Sequence, residues 1–367
     1  MTLRICFLAG TLGRGGAERQ LVYMIRALVR AGVSVRVLSL TRGEAYEQEI
    51  RDLGVEVAFC GASGNKAARA VAIVRELRRE PADIVQCAQL FVNLYAAAGA
   101  RACGAIEIGA VRTDLSRDLV GAWWLLGRIS LRVPRFLIAN SRAGVRAAQR
   151  FAGSPERVLL LENVLDTEKF HPPLGRRDGS GPVRVLFMGR LVPQKRADRF
   201  LRAFAQLERR HPGAAEAWIA GAGYLRAELE RYASSLGLTS SVRFLGEQAD
   251  AAELLRQVDL VVMTSDWEGQ PNSLIEAMGT GLPVLSTRMG AVDEIVPSEA
   301  GVVVPVDDEQ LLADKLCVLV GDRTLREELG KRGLAHVRRE LSVAALEPRL
   351  LATYEQVLSR GRRGEMP

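Results

Sequence analysis

The sequence contains few of the residues that build metal and disulfide sites. It has five cysteines, which lie far apart and form no closely spaced pair: Cys6, Cys60, Cys87, Cys103 and Cys317. Structural zinc sites need such pairs, so the spacing argues against a zinc-binding module. Scattered thiols of this kind are typical of buried cysteines in a reducing compartment.

Long apolar runs are also missing. No stretch approaches the roughly 18 uninterrupted apolar residues of a membrane-spanning helix. The first ten residues lead into a predicted strand and a glycine loop, without the apolar core and cleavage site of a signal peptide. We therefore expect a cytoplasmic protein, and a peripheral position on the cytoplasmic face of the membrane stays open.

What is present is an ordinary globular composition with unevenly distributed charge. The 367 residues are 48% apolar and 25% charged, and this length fits two domains. Residues 1–165 contain 23 Lys and Arg against 14 Asp and Glu, whereas the remainder contains 27 against 29. A basic first half indicates an anionic partner such as phospholipid or a phosphorylated acceptor, although an arginine-rich genome would give the same bias. No nucleic-acid recognition motif is present, so we expect no nucleic-acid partner.

Apolar runs with strand character alternate with helical patterns, which favours βαβ units and parallel sheets. The predicted strands span residues 3–9, 34–40, 55–60, 83–85, 105–111, 135–139, 157–161, 183–188, 215–219, 242–245, 260–263, 283–285 and 301–304. A stretch rich in Pro, Gly and charge separates the two series, so we predict domains at 1–168 and 183–342 with a linker at 169–182.

A pair of glutamates is the most specific feature of the second half. Glu268 and Glu276, separated by seven residues, follow the predicted strand 260–263 and reach into the next predicted helix. Asn272 and Ser273 are expected to cap that helix. Both acids would then face the crevice at the carboxyl ends of parallel strands, where open α/β sheets bind ligands.

Two glycine-containing loops follow other predicted strands. Gly189 comes directly after the strand 183–188, and Arg190 and Lys195 supply positive charge in the same loop. Gly15 and Gly16 close a loop after the first strand, where backbone N–H groups can face an anion. Their spacing does not match the dinucleotide-binding fingerprint.

These motifs, in this order, resemble glycosyltransferase family 4, the retaining enzymes of the glycogen synthase and sucrose synthase type. The matching segments are residues 10–20, 140–141, 163–170, 189–195 and 268–284, which extend over nearly the whole chain. The resemblance implies an α/β GT-B fold, in which two Rossmann-like parallel-sheet domains face each other across a cleft. It also implies that a last helix, at about residues 343–367, crosses back to the first domain.

The resemblance assigns roles around a nucleoside-diphosphate sugar. Glu268 would contact the donor sugar and Glu276 the ribose, while Gly15 and Gly16 would approach the donor phosphate. The remaining expected donor-binding residues are Gly189, Gly246, Asn272, Ser273 and Leu274.

Catalysis is expected to depend on Glu268, Arg190 and Lys195. Transfer releases a diphosphate, and Arg190 and Lys195 would stabilise its charge in place of a metal ion. No Asp-x-Asp motif follows a predicted strand, and Asp307 and Asp308 lie in a predicted turn. We therefore predict that the reaction needs no metal or other cofactor.

The chain departs from the family pattern at one position. Family members often carry a histidine in the first domain that points at the donor sugar, whereas this chain has only His171, His211 and His336. The candidates to replace it are Gln86, Gln89, Arg112 and Asp114. Glu18, Arg112 and Asp114 are the candidates for the acceptor side, with an ordinary first-turn charge as the alternative for Glu18.

The stretch 119–133 combines two tryptophans with two arginines. This composition suits an interfacial helix on anionic lipid, and the alternative is an ordinary helix whose tryptophans pack into the domain. Contact with the inner membrane through the basic first half is therefore one expectation.

The sequence thus predicts a retaining glycosyltransferase that moves a hexosyl group from a nucleoside-diphosphate sugar to a hydroxyl acceptor. The residues 15–20 resemble transferases of bacterial cell-surface polysaccharide synthesis, which favours a glycan or lipid-linked saccharide as acceptor. Two other hypotheses stay open: a non-catalytic homologue that binds a sugar nucleotide, and a nucleotide-sugar epimerase.

Overall fold

The chain forms two compact units in the computed structural model, which describes residues 3–61, 65–112, 115, 124–173, 175 and 181–362. Unit 1 comprises Met1–Val164 and Val343–Pro367, and unit 2 comprises Leu165–Ser342. Each unit is built on its own parallel sheet, and no helix within the described ranges is long and apolar enough to cross a membrane.

The sheet of unit 1 is parallel throughout, with the spatial order β3-β2-β1-β4-β5-β6-β7. Its strands are β1 (Arg4–Ala9), β2 (Ser34–Ser39), β3 (Glu56–Phe59), β4 (Ile84–Cys87), β5 (Ile106–Val111), β6 (Phe136–Ala139) and β7 (Val158–Leu160). The helices described in its first segment are α1 (Gly16–Arg30), α2 (Glu47–Asp52), α3 (Lys66–Arg79), α4 (Asn93–Arg101), α5 (Trp124–Arg132) and α6 (Arg142–Gln149).

The sheet of unit 2 is also parallel, with the order β10-β9-β8-β11-β12-β13. Its strands are β8 (Val183–Met188), β9 (Ala215–Ala220), β10 (Val242–Gly246), β11 (Leu260–Met263), β12 (Val284–Thr287) and β13 (Val302–Val304). Its helices are α7 (Ala197–Arg210), α8 (Arg226–Ser235), α9 (Ala251–Arg256), α10 (Asn272–Gly279), α11 (Val292–Ile295), α12 (Glu309–Gly321) and α13 (Arg323–Glu340).

All thirteen predicted strands are confirmed, with ends that differ from the prediction by no more than two residues. Strands β4, β5 and β6 are buried along their whole length. A parallel strand covered by helices on both faces reads as a continuous apolar run, which is why these strands are visible in the sequence.

The last helix, α14 (Val343–Arg362), is grouped with unit 1 and packs against α1. Its buried residues Leu346, Leu350, Tyr354 and Val357 recur at the spacing of one helix face and enter the core of unit 1. Burial of this stripe removes apolar surface from water and so holds the helix on unit 1.

The segment predicted as a linker begins inside a folded unit. Phe170, the second residue of that segment, is buried in the core of unit 2 together with Leu165. Leu165 also donates a backbone hydrogen bond to Leu341 at 2.7 Å. The prediction was wrong here because the density of Pro and Gly marks irregular backbone, not exposure.

In both sheets the order of strand addition reverses near the centre. The chain first adds strands on one side of the first strand of the unit and then adds the remaining strands on its other side. The change falls between β1 and β4 in unit 1 and between β8 and β11 in unit 2. The loops that leave these adjacent strands must diverge, and they leave a crevice at the carboxyl ends. In each unit this topological switch point is therefore the expected ligand site.

A glycine holds the loop after β9 against the loop after β8. Gly221 has φ of +142°, and a Cβ at this position would lie 1.9 Å from the carbonyl oxygen of Gly189. Only glycine accepts both this conformation and this close approach.

We predict that Gly221→Ala lowers the thermal unfolding midpoint much more than Gly213→Ala, because Gly213 also has a positive φ but no atom within 4 Å of a Cβ. Strain alone costs about 1 kcal/mol, and the clash at Gly221 adds to it. Calorimetry of both variants measures the difference. An equal fall in the unfolding midpoint of both variants would contradict the close contact between Gly221 and Gly189.

Candidate active site

Two loops meet at the switch point of unit 2. One follows β8 and carries Gly189, Arg190 and Lys195, and the other follows β11 and carries Glu268. The Nζ atom of Lys195 donates a hydrogen bond to Oε1 of Glu268, and the two side chains are only 15% and 13% exposed. The structure thus brings two of the three predicted catalytic residues into direct contact.

Hydrogen bonds to backbone carbonyls join the two loops beside this ion pair. The N–H of Asp266 donates to the carbonyl of Gln194 at 2.9 Å, and Nε2 of Gln194 donates to the carbonyl of Trp267 at 2.8 Å. The hydroxyl of Thr264 donates to the carbonyl of Arg196 at 2.8 Å. Lys195 and Glu268 are therefore held by backbone as well as by their charges.

Arg196 adds an ionic connection between the same loops. It has φ of +50°, the only positive φ of a non-glycine residue in the described part of the chain. Its guanidinium binds Asp198 and lies 3.3 Å from Asp266, which also accepts from Arg199 at 2.9 Å. Such a conformation costs free energy, and these contacts offset it. We did not predict the roles of Asp266 and Arg199, because ion pairs between residues 67 or more positions apart leave no local pattern.

The loop after β12 packs against the backbone at Glu268. Gly290, which follows β12, has φ of +50°, and a Cβ there would lie 2.0 Å from the carbonyl oxygen of Glu268. The N–H of Ala291 donates to the carbonyl of Gly269 at 3.2 Å. The backbone at Glu268 is thus fixed on two sides.

Helix α10 carries the remaining acidic residue of the motif. Glu276 is 5% exposed, so its side chain is not a solvated helix residue. The helix begins at Asn272, and Pro271 occupies the capping position without a side-chain hydrogen bond. The prediction that Asn272 and Ser273 cap the helix was therefore wrong; they form its first turn, followed by the buried Leu274.

Arg190 and Gly246 lie at other strand ends of unit 2. Arg190 is exposed, and its side chain has no hydrogen-bond or ion-pair partner among the described residues. Gly246 ends β10 with φ of +71°, and its carbonyl accepts from the N–H of Gly221 at 2.8 Å. Arg190 is thus a cationic side chain available to a ligand.

In unit 1 the glycine loop is held by Gln89, which follows β4 across the switch point. Oε1 of Gln89 accepts from the N–H of Gly10 at 2.8 Å, and its Nε2 donates to Glu18 at 2.9 Å. The Glu18 carboxylate folds back against Gly15, where a Cβ would lie 2.0 Å from Oε2. Gly16 is the first residue of α1. Glu18 and Gln89 are therefore parts of one hydrogen-bonded loop.

Glu44 is a site residue that our sequence analysis missed. Its carboxylate accepts hydrogen bonds from the N–H of Leu12 and from the hydroxyls of Thr11 and Thr41. Burial opposes ionisation, but the hydrogen bonds outweigh it and hold the pKa of Glu44 below its ordinary value. The acid of a dinucleotide-binding fingerprint lies at the end of the second strand, whereas Glu44 lies five residues beyond the end of β2.

The other candidates for the missing histidine differ in their surroundings. Gln86 is buried and accepts a hydrogen bond from Tyr354 at 2.6 Å. Nη1 of Arg112 donates to Asn163 at 3.2 Å, while its Nε has no hydrogen-bond partner among the described residues. Burial lowers the pKa of Arg112 to about 10, although nearby Glu18 favours its charged form. Asp114 lies outside the described residues.

Within the described ranges, no group of three His, Cys, Asp or Glu side chains is arranged to hold a metal ion. The expectation of a metal-free reaction stays a prediction.

The strand order of both units defines a protein with two Rossmann-like domains, and solved structures of this class match it over nearly its full length. HepE from Anabaena, solved with UDP and glucose, has a TM-score of 0.83 and 20% identity over 96% of this chain and 99% of that one. Sucrose-phosphate synthase from Thermosynechococcus elongatus has a TM-score of 0.82 and 17% identity, with coverage of 97% and 99%. The fold is GT-B, as predicted.

The chain belongs to glycosyltransferase family 4. The model described as Glycosyltransferase Family 4 matches residues 14–169, and the model described as Glycosyl transferases group 1 matches residues 182–322. Among its relatives, the lipopolysaccharide core biosynthesis glycosyltransferase LpsE of Rhizobium meliloti is 27% identical over 87% of this chain and 89% of its own.

A second relative comes from Campylobacter jejuni. This α-1,4-N-acetyl-D-galactosaminyltransferase acts on a saccharide linked to undecaprenol through diphosphate, according to its name. It is 29% identical over 89% of this chain and 91% of its own.

We predict that Glu44→Gln lowers the thermal unfolding midpoint at pH 7, because an amide cannot accept all the hydrogen bonds of the carboxylate. The effect should be about 1 kcal/mol. A carboxylate whose pKa is lowered by folding stabilises the fold above its unfolded pKa, and this contribution is lost as pH falls through the folded pKa. Unfolding midpoints measured from pH 7 to pH 3 should therefore converge for the variant and the native protein.

Glu49→Gln is the matched control, because Glu49 on α2 makes a partly exposed ion pair with Arg26 of α1. A loss at pH 7 no larger than that of Glu49→Gln would contradict the role assigned to Glu44.

Proposed function

We propose that this family 4 glycosyltransferase moves a hexosyl group from a nucleoside-diphosphate sugar to a hydroxyl acceptor with retention of anomeric configuration. The observation that carries the proposal is the Lys195–Glu268 pair at the switch point of unit 2. A cation and a carboxylate at this place fit the two ends of such a donor, because one binds phosphate and the other binds sugar hydroxyls.

The reaction breaks the bond between the anomeric carbon and the diphosphate. Lys195 and the exposed Arg190 would stabilise the negative charge that develops on the departing diphosphate. Glu268 would orient the sugar while its anomeric carbon becomes positive, and Glu276 would bind the ribose. Residues proposed to complete the donor site are Gly15, Gly16, Gly189, Gly246, Asn272, Ser273 and Leu274.

The acceptor hydroxyl then bonds to the anomeric carbon on the face that the diphosphate leaves, which retains the configuration. Its proton passes to an oxygen of the leaving phosphate, so no separate base is needed. Glu18 and Arg112 are the proposed acceptor-side residues described by the structure, and Asp114 is a third candidate from the sequence. Positive charge on Arg190 and Lys195 would serve where other transferases use a metal ion.

We infer that the acceptor is a glycan or a lipid-linked saccharide of cell-surface polysaccharide synthesis. The names of the Rhizobium meliloti and Campylobacter jejuni relatives support this class of acceptor. The positive charge of residues 1–165 fits an acceptor that carries diphosphate and lies at an anionic membrane. The UDP and glucose bound by HepE make a UDP-sugar the first donor to test.

The decisive experiment measures thermal stability with UDP-, GDP-, ADP- and TDP-sugars. One class of donor should raise the unfolding midpoint by several degrees at saturation, because a ligand that binds only the folded state stabilises it. The rise should be lost in Lys195→Ala and kept in Lys315→Ala, an exposed lysine of α12 in the same unit.

The same donor-induced rise, and transfer to an added acceptor, should be unchanged by a chelator. Strong inhibition by the chelator would contradict the metal-free mechanism. No rise with any donor, or an equal rise in Lys195→Ala, would contradict the assignment of the donor site to the Lys195–Glu268 pair.

A further inference from the structure

Exposed apolar side chains concentrate on one surface of unit 1. The described part of the chain has eight strongly exposed large apolar side chains, and five lie on helix α5 or the adjacent turn Leu90–Val92. They are Phe91 (61% exposed), Trp124 (48%), Leu125 (57%), Leu126 (43%) and Ile129 (38%). The alternative that the tryptophans pack into the domain is wrong for Trp124, while Trp123 lies outside the described residues.

Cations accompany the apolar side chains of helix α5, and its described residues include no acid. Helix α5 contains Arg128 and Arg132, both exposed, and no Asp or Glu. The guanidinium of Arg128 lies 4.8 Å from the centroid of the Trp124 ring and 5.4 Å from that of Phe151. Only Ser130 and Leu131 of this helix are buried. We call the exposed apolar residues together with Arg128 and Arg132 the docking face.

We propose that the docking face binds an anionic lipid bilayer, with helix α5 lying in the interface between headgroups and acyl chains. A short helix with Trp, Leu and Ile beside Arg has the composition of an interfacial anchor. Its cations, together with the positive charge of residues 1–165, complement the negative surface of such a membrane. A second copy of the chain would bring the same cations face to face, so charge disfavours self-association here.

The docking face reaches the glycine loop of unit 1. The ring of Phe91 lies against Gly10, where a Cβ would be 2.1 Å from Cε2 of Phe91. Gln89, two residues before Phe91, holds the same loop and Glu18 by hydrogen bonds. Bilayer contact at Phe91 would therefore place the glycine loop close to the membrane surface, where a lipid-linked acceptor is anchored. This consequence rests on the proposed function, whereas lipid binding does not.

Vesicle flotation with the full chain tests the proposal. The protein should float with vesicles of phosphatidylethanolamine and phosphatidylglycerol, and not with phosphatidylcholine vesicles, and high salt should weaken binding. Leu125→Glu and Arg132→Glu should each lower the partition coefficient about tenfold, because each places negative charge on the docking face. The matched controls Val318→Glu and Arg209→Glu change exposed residues of unit 2 and should bind like the native protein.

Four outcomes would overturn the proposal. The first two are no flotation with anionic vesicles and equal flotation with phosphatidylcholine vesicles. The third is a partition coefficient that falls as much in the unit 2 controls as in the docking-face variants. The fourth is the formation of concentration-dependent dimers in the absence of lipid that Leu125→Glu abolishes. The donor-induced rise in unfolding midpoint is measured without vesicles on the same proteins. A normal rise together with failed flotation would reject the docking face alone and leave the proposed transferase activity standing.

Discussion

The ion pair between Lys195 and Glu268 is the contact on which the candidate active site depends. Strand order places the loops after β8 and β11 side by side, and the largely buried pair then joins the two loops. Taking two charges partly out of water costs free energy, which the pair recovers only if its geometry is maintained. The hydrogen bonds of Gln194 and the ionic contacts of Asp266 provide this support.

Much of this architecture can be predicted from local sequence patterns. Buried parallel strands appear as short apolar runs, and the glycines and charges that follow them mark the carboxyl ends of the sheets. Because ligands bind at those ends, the same patterns predicted Lys195 and Glu268 as site residues, although not their contact with each other. The family motifs then supplied the chemical interpretation, which composition and periodicity cannot give.

The features that escaped prediction all depend on contacts between distant residues or on exact backbone geometry. Glu44, which follows β2, accepts a hydrogen bond from Leu12 in the loop after β1. Gln89, which follows β4, accepts one from Gly10 in the same loop. Phe170 is buried although its neighbours in sequence resemble a linker. Helix α10 starts at Asn272, one residue earlier than a cap at Asn272 would place it, because Pro271 occupies the capping position. None of these follows from the periodicity of a single segment.

The structure of the protein with a bound nucleoside diphosphate would test the central claim most directly. If Lys195 and Glu268 form the donor site, the diphosphate oxygens should lie within hydrogen-bonding distance of Nζ of Lys195 and of the Arg190 guanidinium. The ribose should contact the Glu276 carboxylate. A nucleotide bound elsewhere on the chain, with the Lys195–Glu268 pair free of ligand, would contradict the account.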